Sequence, residues 1–291
     1  MMTGRNNMFT KKIIKVQLTL QYGKFGNGTN SVVIDNLPIK VEVKRAGLPA
    51  LDDAKVTILG LSRDLMESIT FLNYRNLFIN MNRIDVFAGD ETGLDLVFSG
   101  EITSAIPNFN NAPSINMEIK AITGYSSNIK AVPPLSIKGN IPVSQLCERI
   151  AKESGFEFSN KGVNVIASNP YLKGSNITKL KNIAQTYKIG MTIENKTVAI
   201  YPLNGSSAQL VLTISGDNGL IGYPSFTQNG IDCKVMFAPA VSIGQKIQIN
   251  SVIPKVSGTW WVYSLSHVLE ANIPNGRWET DIQASYGEFY A

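Results

Sequence analysis

Nucleophile–base catalysis usually recruits a histidine, and this chain of 291 residues has one, His267. It lies in the run TWWVYSLSHVL. Strand alternation there puts it on the face of Trp261, Tyr263, Leu265 and Leu269, which predicts a packed, hydrogen-bonded imidazole rather than a general base. The two cysteines, Cys147 and Cys233, stand 86 residues apart, and with one histidine they offer none of the usual zinc spacings. A disulfide between them is possible on paper. Their apolar surroundings favour small buried thiols in a reducing compartment. Asp52-Asp53, Asp64–Glu67 and Asp90-Glu91 are the paired carboxylates available for acid–base work. Each falls in a turn or on a helix face, where solvation is the ordinary explanation. The loop Gly216–Gly222 has the look of a phosphate cradle but lacks a P-loop lysine and a following amphipathic helix, so it reads as a turn. The aromatics near 260 have faces for stacking bases or sugars, yet at strand spacing they read as core. No catalytic constellation, metal site or cofactor site is expected, and the chain is read as a non-enzyme.

The elements that hold these residues are mainly β. A hydrophobic content of 44 % with 17 % charged residues belongs to a folded chain with room for two or three cores. No apolar run approaches the ~20 residues needed to cross a bilayer, and MMTGRNNMFTKK lacks the apolar stretch of a secretory signal. Residues 1–10 read as a short flexible arm. Net charge is +5 but uneven: residues 120–196 carry 11 basic and 4 acidic side chains, whereas 1–119 are neutral and 197–291 carry a net −2. A basic middle is one signature of nucleic-acid contact; here the lysines are scattered, without a run and without interleaved aromatics.

In chain order, Ile14, Val16, Leu18, Leu20 and Tyr22 alternate with polar residues and predict an amphipathic strand. Strands near 32–34 and 39–43 follow, then a buried strand at 54–60. Leu61, Leu65, Met66 and Ile69 fall at helical spacing behind Ser62 as N-cap. Further strands are expected at 83–88, 94–101 and 115–122, so that residues 11–130 form one β-barrel carrying a single helix. The pair Pro133-Pro134 marks a stiff linker into a two-helix α/β insert, 131–203. Its first helix opens at Pro142 and turns Val143, Leu146, Cys147, Ile150 and Ala151 inward. Its second is capped by Ser175 or Asn176, turns Ile177, Leu180, Ile183, Ala184 and Tyr187 inward, and has Gly190 past its end. Residues 204–291 read as a second barrel. There Ile231, Cys233, Val235 and Phe237 alternate with polar residues, as do Trp278, Thr280, Ile282, Ala284 and Tyr286. Asn229-Gly230 and Asn275-Gly276 supply hairpin turns.

The last segment also carries a family resemblance. The run from Gly219 through Gly222 to Pro224, the Phe226…Gly230 turn and the framework Trp261…His267…Pro274…Gly276…Trp278…Thr280 resemble the C-terminal domain of baseplate hub proteins of contractile bacteriophages. The segment from the LSRDLMESIT helix to the VFSGEI strand resembles their first domain. The resemblance implies a mainly β fold, two tail-tube-like antiparallel β-barrels joined by the α/β insert. It further implies a homotrimer arranged as a pseudo-sixfold ring between a sixfold tail tube protein and a threefold central spike protein. Baseplate wedge proteins and the tape measure are further partners on this reading, and the place is the virion tail tip, with no membrane involved. With no lysozyme or needle domain in the sequence, the spike is expected to be a separate protein. Two other readings stay open: a distal tail protein of a flexible tail, and a carbohydrate- or nucleic-acid-binding β protein.

Overall fold

The computed structural model describes residues 10–70, 82–110, 115–203, 205–208 and 210–286. The expected arm, residues 1–10, lies outside them save for Thr10. Of the described residues, 50 % are strand and 15 % helical, with four α-helices among them. The first part holds β1 (Ile13–Thr19), β2 (Ser31–Ile34), β3 (Ile39–Ala46), β4 (Asp53–Leu59), α1 (Arg63–Ile69), β5 (Arg83–Asp90), β6 (Gly93–Asn108), β7 (Asn116–Ile122) and α2 (Tyr125–Ile129). Alternation in β1 buries Ile14, Val16 and Leu18. Tyr22 departs from the expected pattern: β1 ends at Thr19, and the ring beyond it is exposed. β4 is half-buried rather than buried throughout, because Asp53, Lys55 and Thr57 face outward between Ala54, Val56 and Ile58. Ser62 caps α1 as expected, its hydroxyl accepting from the Leu65 amide at 3.4 Å.

The middle part holds β8 (Leu135–Ser136), β9 (Asn140–Pro142), α3 (Val143–Glu153), β10 (Glu157–Asn160), β11 (Ile166–Ser168), β12 (Tyr171–Leu172), α4 (Asn176–Tyr187), β13 (Ile189–Glu194) and β14 (Thr197–Pro202). The stripe read from α3 is the stripe it buries: Val143, Leu146, Cys147, Ile150 and Ala151. Large aliphatic side chains buried in this way contribute on the order of 1.5–3 kcal/mol each. Ser175 caps α4, accepting from the Thr178 amide at 3.2 Å. The helix ends on Lys188, whose φ of 48° supplies the left-handed turn, and not on Gly190. Gly190 lies inside β13 for a different reason: a Cβ there would stand 2.1 Å from the Tyr201 ring.

The last part holds β15 (Leu212–Ser215), β16 (Leu220–Thr227), β17 (Gly230–Met236), β18 (Lys246–Asn250), β19 (Gly258–Ala271) and β20 (Trp278–Ser285). Two closed barrels are not what the hydrogen bonds describe. Among the described residues, β16-β17-β20-β19-β3-β4-β7-β6-β5-β1-β2 form one sheet path, with β18 pairing β19 and β15 pairing β18 off it. The sheets are not closed into barrels. The reason is the 14-residue length of β19. One of its edges takes β18 along Gly258–Trp261 and then β3 along Ser264–Ala271, while the other takes β20. The first and last parts of the chain are therefore hydrogen-bonded edge to edge. Three apolar clusters lie against this frame: one under the first part, one in the middle and one under the last part. Leu269 and Ala271 of β19 are buried in the first cluster, so the core as well as the sheet crosses between the parts.

Candidate assembly surface

His267 is fully buried in the middle of β19. Its Nδ1 lies 2.9 Å from the Thr280 hydroxyl oxygen, which also accepts from the Ala238 amide at 3.1 Å. Phe237 meets the imidazole edge-on at 5.5 Å and meets Trp278 edge-on at 5.4 Å. Burial, with the nearby Arg45 charge, pushes the imidazole down to about 3. A ring that stays neutral with no route to solvent holds strands together and does not shuttle protons. Trp261 and Tyr263 do not share its face. A β-bulge between Val262 and Ser264 shifts the phase, so Trp260 and Val262 point inward before it and Leu265, His267 and Leu269 after it. Trp261 instead donates its indole N–H to the Gly205 carbonyl at 3.3 Å, with the Lys246 ammonium over its ring.

The other residues of the sequence motif fall into two places. Gly219, Gly222, Pro224, Phe226 and Gly230 lie along β16 and its turns, with positive φ at Gly219, Gly222 and Gly230. β16 ends the sheet path and is broken by a bulge between Ile221 and Ser225. A Cβ on Gly230 would stand 2.2 Å from the Ala284 carbonyl oxygen, so this turn packs against β20 as only glycine permits. Pro274 and Gly276 shape the turn between β19 and β20, with Asn275 at φ 54°. Trp278 and Thr280 follow on β20, half-buried and buried. Tyr286, expected on the dry face, is exposed because β20 ends at Ser285; its ring leans edge-on against Trp260.

Sequence reasoning missed a buried ionic knot. Asp52 was expected in a solvated turn, yet it is only 3 % exposed. The Arg45 guanidinium lies 3.8 Å from it and 3.6 Å from Glu194, at the tip of the β13–β14 hairpin. Arg45 also donates to the Val97 carbonyl. Burial pushes the Asp52 carboxyl well above the ordinary carboxylate range, against the pull of Arg45. Next to Glu194, Asn195 donates to the Leu96 carbonyl at 3.2 Å and Lys196 pairs with Asp85 at 3.6 Å, so the hairpin tip is fastened to the first part. No sequence signal marks this cluster, since its members lie in four different segments. Of the other paired carboxylates, Glu67 pairs with Arg63 along α1, and Asp90 accepts from the Thr92 amide. Cys147 and Cys233 are free, and burial pushes both thiols up to about 12. Among the described residues no three His, Cys, Asp or Glu side chains converge to hold a metal ion, and no helix is long and apolar enough to cross a membrane.

The outer face of the sheet is an organised polar surface. Cross-strand register places Lys40, Glu42 and Lys44 of β3 beside Asp53 and Lys55 of β4, and these beside Glu118 and Lys120 of β7. On the other flank come Glu270 of β19, then Glu279 and Asp281 of β20 and Asp232 and Lys234 of β17. Ion pairs knit the face together: Lys40–Glu270 at 3.4 Å, Lys55–Glu118 at 2.8 Å, Lys234–Glu279 at 3.2 Å, and Arg277 with Glu279. Each exposed pair adds about 0–1 kcal/mol, so their consequence is charge cancellation more than stability. Both parts of the chain contribute to this one face.

A family model for the baseplate hub gp41 matches residues 13–273. The chain belongs to this baseplate hub family. The family is one of structural components of a phage tail. The hub chain superposes on a tail protein from Neisseria meningitidis MC58 with a TM-score of 0.65 at 9 % identity, covering 96 % of this chain and 98 % of that one. The 43 kDa tail protein of prophage MuSo2 from Shewanella oneidensis gives 0.59 at 12 % identity, covering 93 % and 97 %. The Escherichia coli c3393 protein gives 0.62 at 13 % identity, covering 94 % and 78 %. It is described as a component of the type VI secretion system with structural similarity to the T4 tail proteins gp27 and gp5. Comparison with curated protein sequences returns no match.

Proposed function

We propose that three copies of this chain form a pseudo-sixfold ring that joins a sixfold tail tube to a threefold central spike in the baseplate of a contractile tail. The observation that carries this reading is the β3–β19 pairing, which fuses two β parts of one chain edge to edge. Three such chains present six β units around a closed ring, and that resolves the mismatch between sixfold and threefold neighbours. On this reading the units are 11–130, 131–203 and 204–291, with 1–10 as an arm, and each outer unit plays the part of one tube-like barrel. The charged face then lines the channel. It spans six neighbouring strands, β17-β20-β19-β3-β4-β7. Sheets of about 16–18 strands already enclose an aqueous channel, a width that three copies reach and two do not. The insert sits outside the ring. The motif residues on β16 and at the β19–β20 turn shape the edges through which neighbouring units meet. Partners are the tube protein, a separate spike, and the surrounding wedge proteins and tape measure. Native mass spectrometry of the hub released with its spike from purified tails tests the proposal: three copies of this chain per complex are expected, and two or six would refute it.

A further inference from the structure

Charge is balanced on the sheet face but not on the insert. Residues 131–203 carry 9 basic and 4 acidic side chains. Three of those four carboxylates are already engaged: Glu148 and Glu153 pair with Lys152 and Arg149 along α3, and Glu194 turns inward to Arg45. No Asp or Glu occurs between residues 158 and 193. Within this region β8 and β9 run antiparallel to β12 and β11 as one two-stranded ribbon. Backbone bonds from Ile137 to Pro170 at 3.1 Å and from Asn169 to Gly139 at 2.8 Å bridge the gap between the paired stretches. Alternation sends Leu135, Leu172 and Ala167 into the insert core. It sends Tyr171, Ile166 and Pro142 outward, with Tyr171 64 % and Ile166 63 % exposed. Lys138 and Lys173 flank them, exposed and with no ion-pair partner among the described residues.

We propose that the outward face of this ribbon docks an acidic surface of another protein of the tail; the inference rests on the tail role of the chain but not on the ring. Nothing in the insert's own core requires Ile166 or Tyr171 to point outward, since their neighbours in the ribbon already fill it. Large side chains held at such exposure on a hydrogen-bonded ribbon are the usual anchors of a protein interface, and the lysines around them select a partner of opposite charge. Nucleic acid fits less well. Ile166 and Pro142 offer no stacking faces, and the one arginine of the insert, Arg149, is committed to Glu153. Two large side chains are also too little apolar area to hold a membrane surface.

Carbodiimide treatment of purified tails, which joins amines only to carboxylates in contact, tests the proposal directly. Mass spectrometry of the digest is expected to find Lys138 and Lys173 joined to Asp or Glu of a different tail polypeptide. The double variant Lys138→Glu/Lys173→Glu, and separately Tyr171→Ser, should enter tails about tenfold less, as a loss near 1.4 kcal/mol of contact implies. Unchanged thermal unfolding of the isolated variants separates a lost contact from a lost fold. Wild-type chain present in tails with both lysines unreacted, or joined to a second copy of this chain, overturns the proposal, as does normal incorporation of the variants. Binding of a short DNA duplex that the double variant abolishes overturns it in favour of a polyanion. Absence of the wild-type chain from tails contradicts the tail role itself, a failure distinct from the others.

Discussion

At the scale of single residues, the buried polar groups carry the sharpest consequences. His267 has its pKa depressed to about 3 by burial. Below the ordinary histidine value the unfolded chain takes up a proton that the folded chain refuses. Stability contributed by the neutral ring is thus present above about pH 6.5 and is lost as pH falls toward 3, at about 1.4 kcal/mol per pH unit. In urea unfolding between pH 7 and 4, His267→Phe should show a pH slope shallower than the wild type by about one proton; equal slopes would place the imidazole in water. Arg45 acts in the opposite electrostatic sense. Arg45→Ala leaves the buried Asp52 and the half-buried Glu194 without a cation, at a cost of about 3–5 kcal/mol. Because Asp52 is already held toward its neutral form, the loss should be smaller at pH 5 than at pH 8, read from the same unfolding curves. Only the first of these roles was legible in the sequence. His267 is read correctly as packed, but a bulge of one residue at Tyr263 moved Trp261 off its face, and no pattern of types announces a bulge. Asp52 was hidden by Asp53: a carboxylate pair in a turn looks solvated, yet alternation in β4 sends one of the two outward and leaves the other under Arg45.

At the scale of elements, the helices were the most legible part. The five inward residues of α3 and the Ser175 cap of α4 follow from local spacing and capping chemistry alone. Strand existence was legible for the same reason, whereas pairing was not. β3 and β19 meet across more than 200 residues of sequence, and alternation says which face of a strand is wet, never which edge it shares. Tyr201 illustrates a second kind of hidden constraint. Its buried ring on β14 occupies the space where a Cβ on Gly190 of β13 or on Gly244 of the last part would stand, at 2.1 and 2.3 Å. Gly190 does lie past the end of α4, but its work is to make room for that ring and not to end the helix. Gly190→Ala should cost on the order of 1–3 kcal/mol by overpacking. In a double-mutant cycle with Tyr201→Ala the two losses should couple strongly, since the ring that clashes is then gone. Additive losses would mean that the backbone at 190, and not the ring, is the constraint.

At the scale of the whole molecule, a sheet that crosses from one end of the chain to the other unites both β parts behind one face. That face is assembled from residues as distant as Lys40 and Glu279, so no local reading of the sequence exposes it. Its lysines and carboxylates largely cancel, while the insert keeps an excess of lysines, which gives the molecule a neutral side and a basic side. In a ring the neutral side suits a channel through which a polyanion passes without being held, and the basic side suits attachment to acidic neighbours. The family establishes a structural place in a phage tail. The ring is the account's central claim, and a reconstruction of the assembled tail tip tests it most directly. It predicts three copies of this chain, with the two β parts of each side by side in one ring and the face of Lys55 and Glu118 turned to the channel. Any other copy number, or β parts of one chain lying in different rings, would contradict it.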